Sequence, residues 1–98
     1  MKCNVIYYDG NISKPREISI SLDEVNIRLN LFVKDKASIK WMFSDLTYEI
    51  HGKTLEIKNN KYPSTLLKID DVEFSNYFIS IFKSKNKFDI HNKLHYIS

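Results

Sequence analysis

His91 and His95 stand four residues apart in the run HNKLHYIS, a spacing that would put two imidazoles on one face of a helix. The zinc motif H-E-x-x-H uses that spacing, with a glutamate beside the first histidine to act on metal-bound water and a third ligand farther along. Asn92 stands in the glutamate position, and only three residues follow His95. The pair reads as two histidines in a polar tail, with adventitious metal capture as the lesser alternative. No metal ligand and no cofactor is assigned.

The other candidates for chemistry are sparse. Cys3, the single cysteine, has no evident histidine or acid partner, which argues against a catalytic thiol. It can make no intramolecular disulfide, so a reducing compartment is expected. Lys14 and Arg16 flank Pro15 and are weak candidates for holding an anionic headgroup, a task that normally takes a larger basic cluster. Tyr7, Tyr8 and Trp41 could stack on a ligand, but large aromatics more often fill a small core. Asn11-Ile12-Ser13 is a glycosylation sequon, but the apolar run Val5 to Tyr8 is too short for a signal peptide. Paired carboxylates, a nucleophile with its base and a phosphate loop are all missing from the pattern, and the chain is read as non-catalytic.

Charge is distributed unevenly. The 98 residues carry a net +3, yet residues 1–82 hold eleven Lys or Arg against eleven Asp or Glu. The excess lies in Lys83, Lys85, Lys87 and Lys93 against Asp89. The body thus lacks the basic excess of a nucleic-acid binder. The four tail lysines are candidates for contact with an anionic membrane surface, and a solvated terminus is the rival reading. No run approaches the roughly 18 apolar residues of a membrane-spanning helix, so a soluble chain is expected.

These residues must be positioned by a single domain, since ninety-eight residues fold around one core. CNVIYYD gives a first strand. In PREISISL, Ile18, Ile20 and Leu22 alternate with Glu17, Ser19 and Ser21, the period of a half-buried second strand that begins after Pro15. Val25, Ile27, Leu29, Leu31 and Val33 predict a long third strand, Ile39 to Phe43 a fourth with Trp41, and Leu46, Tyr48 and Ile50 a fifth. After the His51-Gly52 turn, Leu55 and Ile57 mark a sixth strand, and Leu66 to Ile69 a seventh. The period then changes: Phe74, Phe78, Ile81 and Phe82, with Tyr77 beside them, predict an amphipathic helix over about 71–83, with Asp70 and Glu73 resembling a capping box. Residues 84–98 read as a basic polar tail, a possible juxtamembrane linker. Seven antiparallel strands and a closing helix describe a mainly β, pleckstrin-homology-like barrel over residues 1–83, with a plain sandwich as its rival.

The opening YYDGNISKPREISISL resembles the start of a small N-terminal accessory domain of bacterial membrane zinc metallopeptidases of the HtpX-like class. Tyr7, Tyr8, Asp9, Gly10 and Pro15 carry the likeness, and IKWMFSDLTYEI adds Trp41, Asp45 and Leu46 from a central segment. IDDVEFSNYFISIF is similar to that domain's closing helix. The likeness spans about residues 4–83 in order, while few glycines and many lysines and asparagines depart from it. It implies a pleckstrin-homology-like accessory domain, cytoplasmic and at the inner face of the membrane, whose partner is a downstream catalytic domain or another protein. A free-standing module that binds a peptide or an anionic headgroup is the alternative. Oligomeric state has no signature in the residues.

Overall fold

The computed structural model describes residues 1–11 and 14–97, with side chains through Lys85. Seven strands follow one another: β1 (Lys2–Tyr8), β2 (Arg16–Asp23), β3 (Arg28–Phe32), β4 (Ile39–Met42), β5 (Leu46–His51), β6 (Thr54–Asn59) and β7 (Leu66–Ile69). A short 3-10 turn, Phe43–Asp45, joins β4 to β5, and α1 (Val72–Ile97) closes the chain. The expected polar tail lies, from Asn86 onward, outside the described side chains, as do His91, His95, Lys87 and Lys93.

All seven strands join one antiparallel sheet in the order β4-β3-β2-β1-β7-β6-β5. β1 is the hinge of this arrangement: Ile6 pairs with Glu17 of β2 on one side and with Lys68 of β7 on the other. β4 and β5 are consecutive in the chain yet stand at opposite ends of the sheet, so the sheet curls into a half-barrel with two free edges. This is the mainly β, helix-capped barrel that the alternation predicts.

The period-2 pattern becomes the core. Ile18, Ile20 and Leu22 of β2, Leu29 and Leu31 of β3, Leu55 and Ile57 of β6, and Leu67 and Ile69 of β7 are buried on the concave face. α1 fills the concavity with Phe74 and Phe78, both fully buried. Phe78 meets Phe43 edge-on at 5.4 Å and Tyr48 at 6.1 Å, and Phe82 extends the cluster at 5.6 Å from Phe43 and 5.5 Å from Tyr48. Such edge-to-face pairs favour ring packing beyond the area they bury, which locks the helix to β5 and to the 3-10 turn.

Two local expectations are corrected. The third strand begins at Arg28, not Val25, because Glu24 to Ile27 form a turn. Val25 is 89% exposed, Ile27 takes φ 55°, and Asp23 Oδ1 accepts the Asn26 N–H at 3.0 Å. Local side-chain bonding by Asp23 therefore overrides the apolar alternation. At the start of α1, the capping residue is Asp71: its Oδ1 accepts the Phe74 N–H at 2.9 Å, and its carbonyl oxygen accepts the Ser75 N–H at 2.9 Å. Asp70 instead accepts the Thr54 hydroxyl at 2.6 Å, tying β6 to the approach to the helix.

Candidate functional site

The residues singled out from sequence fall into separate places. Tyr7 is buried and stands edge-on to the buried Trp41 at 6.2 Å, so two of the motif aromatics meet inside the sheet. Burial, together with the nearby Asp9, raises the Tyr7 phenol above its ordinary value, against a lowering by Arg16. Tyr8 carries the Lys68 ammonium over its ring at 5.4 Å. Asp9 accepts the Asn11 N–H at 2.9 Å and lies 3.8 Å from the Arg16 guanidinium. Gly10 has φ +83° and packs against Ser64 of the β6–β7 loop. Pro15 is exposed just before β2, and the Asp45 carbonyl accepts the Asn60 N–H at 2.7 Å.

Lys14 is exposed just ahead of β2, and Arg16, the first residue of β2, lies beside Asp9. Lys83 and Lys85 are exposed on α1. His51, at the end of β5, lies with its Nε2 3.0 Å from Glu49 and 3.9 Å from Glu56. Among the described residues no group of three or more His, Cys, Asp or Glu is disposed to hold a metal ion. Burial, and secondarily the Asp71 charge, pushes the Cys3 thiol up to about 11, which keeps it protonated at neutral pH.

A different set of residues converges. Where the β5–β6 hairpin approaches the first two turns of α1, a groove of about 200 Å³ is lined by Ile50, Gly52, Lys53, Leu55, Val72, Ser75, Asn76 and Ile79. Ile50 comes from β5, the outermost strand on this side of the sheet. Ile50 and Val72 are 58% and 53% exposed, an unusual state for large apolar side chains that stand together. Ser75 lines the groove and is 7% exposed, and its Oγ, itself enclosed, has no hydrogen-bond partner among the described residues.

None of these eight residues reads from the sequence as part of a site, although Ile50 and Leu55 mark strands and Gly52 a turn. The signal was nonetheless present: Val72, Ser75, Asn76 and Ile79 follow the i, i+3, i+4, i+7 rule and form a second stripe beside that of Phe74, Phe78 and Phe82. The aromatic stripe is the stronger of the two patterns and masks its neighbour.

Among the described residues no helix is long and apolar enough to cross a membrane. No family model matches the chain, and no curated protein matches it significantly.

Proposed function

We propose that the chain is a non-catalytic, pleckstrin-homology-like interaction domain that accepts an extended segment of a partner protein along the free edge of β5. The observation that carries this reading is the position of β5: it ends the sheet, so among the described residues its outer N–H and C=O groups face no strand, and Ile50 on it lines the groove beside α1. An open edge is a template for another strand, in which main-chain bonds give affinity and adjacent pockets read side chains.

The setting that the YYDG-x4-P resemblance supports is an accessory domain ahead of a membrane zinc metallopeptidase, cytoplasmic, with the downstream catalytic domain or another protein as its partner. Reading the frame beyond codon 98 tests this setting: an apolar helix followed by H-E-x-x-H supports it, and a stop codon directly after Ser98 counts against it. Binding of an anionic headgroup is the weaker alternative, since Arg16 is already engaged by Asp9.

Docking on β5 is tested by titrating the isotope-labelled chain with an eight-residue peptide of alternating Thr and Val. The expected result is slowed hydrogen exchange and shifted amide signals in β5. Shifts confined to the outer face of β1 and β2 would refute the assignment. Flotation with anionic vesicles, if it carries the chain up in a salt-sensitive way, transfers the function to the headgroup alternative.

A further inference from the structure

The geometry points to the groove between the β5–β6 hairpin and α1 as the specificity pocket for a peptide that carries a branched aliphatic side chain and, two positions away, a carboxylate. This inference rests on the reading of β5 as the docking strand and adds what that strand's ligand must look like.

Size restricts the occupant first. Pockets for cofactors and drug-sized molecules begin at roughly 300 Å³, whereas this groove holds about 200 Å³. It suits one or two side chains of a longer ligand. Ile50, Leu55, Val72 and Ile79 supply aliphatic walls, which select an aliphatic side chain by burial alone.

Polarity restricts it further. Three lining groups can donate a hydrogen bond: the Ser75 hydroxyl, the Asn76 side-chain amide and the Lys53 ammonium. Buried polar groups nearly always have a partner, so the Ser75 Oγ, enclosed and unpartnered, is the kind of exception that a ligand resolves. Lys53 has no carboxylate within ion-pair distance among the described residues. No acid lines the groove: Asp70 bonds the Thr54 hydroxyl, Asp71 bonds the Phe74 N–H, and neither they nor Glu73 are among its lining residues. The groove thus presents an unmatched positive charge and donors to whatever enters it, and a carboxylate complements them.

Strand geometry sets the spacing. Side chains of an extended ligand alternate between faces, so two that enter the same groove must be separated by one residue. An aliphatic residue adjacent to an acid would place only one of them in the groove.

The test compares the alternating Thr and Val peptide with versions carrying Leu and Asp two positions apart, in both orders, by amide shifts and calorimetry. One Leu/Asp peptide is expected to bind about tenfold more tightly than its Thr/Val parent and to move the amides of Val72, Ser75, Asn76 and Ile79. Lys53→Glu, at an exposed turn position, should abolish that advantage. Ser75→Ala should weaken the same peptide while raising the melting temperature of the free chain, because an unpartnered buried hydroxyl has been removed. If all peptides move the β5 amides equally, or Lys53→Glu binds the Leu/Asp peptide as before, the pocket's chemistry is wrong while β5 docking stands. If none moves β5 at about 1 mM peptide, both readings fall.

Discussion

Gly10 and Ser64 hold two loops of the half-barrel against each other. A Cβ added to Gly10 would stand 2.9 Å from the Ser64 Cβ and 3.2 Å from its carbonyl oxygen, and the Gly10 backbone sits at φ +83°. The β1–β2 loop can close on the β6–β7 loop only with no side chain at that point. The opening YYDG motif therefore has a packing explanation: Asp9 bonds Asn11 and approaches Arg16, while Gly10 lets the turn reach Ser64.

Gly10→Ala should consequently be costly. A left-handed backbone costs an ordinary residue about 1–2 kcal/mol, and the collision with Ser64 adds to it. A melting temperature lower by about 8 °C or more is expected for a domain of this size. Gly52→Ala is the control: Gly52 has φ +63°, but nothing lies within 4 Å of its added Cβ, so only the backbone term of about 1 kcal/mol remains. Thermal melts of the two variants settle the comparison, and equal losses would show that Ser64 simply moves aside.

The half-barrel was legible because its causes are local and periodic. Ile18, Ile20 and Leu22 had to face one side, and Phe74 and Phe78 had to share a helical stripe, whatever the rest of the chain did. What escaped were features decided by competition or by distant contact. Val25 and Ile27 continue the apolar alternation perfectly, yet the carboxylate of Asp23 bonds Asn26 through backbone and side-chain N–H groups and turns the chain there. The groove combines Ile50 with Val72, residues 22 positions apart whose neighbourhood only the closed fold creates. A buried hydroxyl without a partner, such as that of Ser75, has no sequence signature at all.

The β2–β3 turn stores strain that can be released. Ile27 is β-branched and half-exposed at φ 55°, a conformation that Asn and Gly adopt far more readily. Its carbonyl accepts the Phe43 N–H at 3.1 Å, so the backbone geometry is retained by contact with the 3-10 turn whatever side chain it bears. Ile27→Asn should stabilise the chain by about 1 kcal/mol, read as a higher urea midpoint with unchanged slope. A lower midpoint would mean that the Ile27 side chain contributes more by packing than its backbone costs.

Asp70 and Asp71 are neighbours with different duties, and substitution separates them. Asp71→Ala removes the bond to the Phe74 N–H and should cost about 1 kcal/mol, with helicity lost first at the start of α1. Asp70→Ala removes the acceptor for Thr54 and leaves the cap intact. Amide exchange at Phe74 and Ser75 discriminates: acceleration in Asp71→Ala alone is expected, and acceleration in Asp70→Ala instead would restore Asp70 as the cap.

Cys3 provides a readout of burial over pH. Its thiol is raised from 9.0 to about 11 in the folded chain, mainly by desolvation and then by the Asp71 charge. Because the folded state holds the proton more tightly than the unfolded state, the associated stability is fully present below pH 9. It is lost as pH rises through about 11. The thiol is only partly enclosed, so solvent screening keeps the loss of stability small. Reactivity is the larger effect, since the thiolate is the nucleophile: at pH 8, a thiol raised from 9.0 to about 11 has a reactive fraction lower by about a hundredfold. Iodoacetamide labelling of the native chain should therefore be slower than that of the urea-unfolded chain by roughly that factor, and the two rates should converge above pH 11. Asp71→Asn should speed native labelling only modestly, because the carboxylate is the second cause and burial the first. Native labelling as fast as unfolded at pH 8 would place the Cys3 thiol in solvent and remove it from the packing against the core.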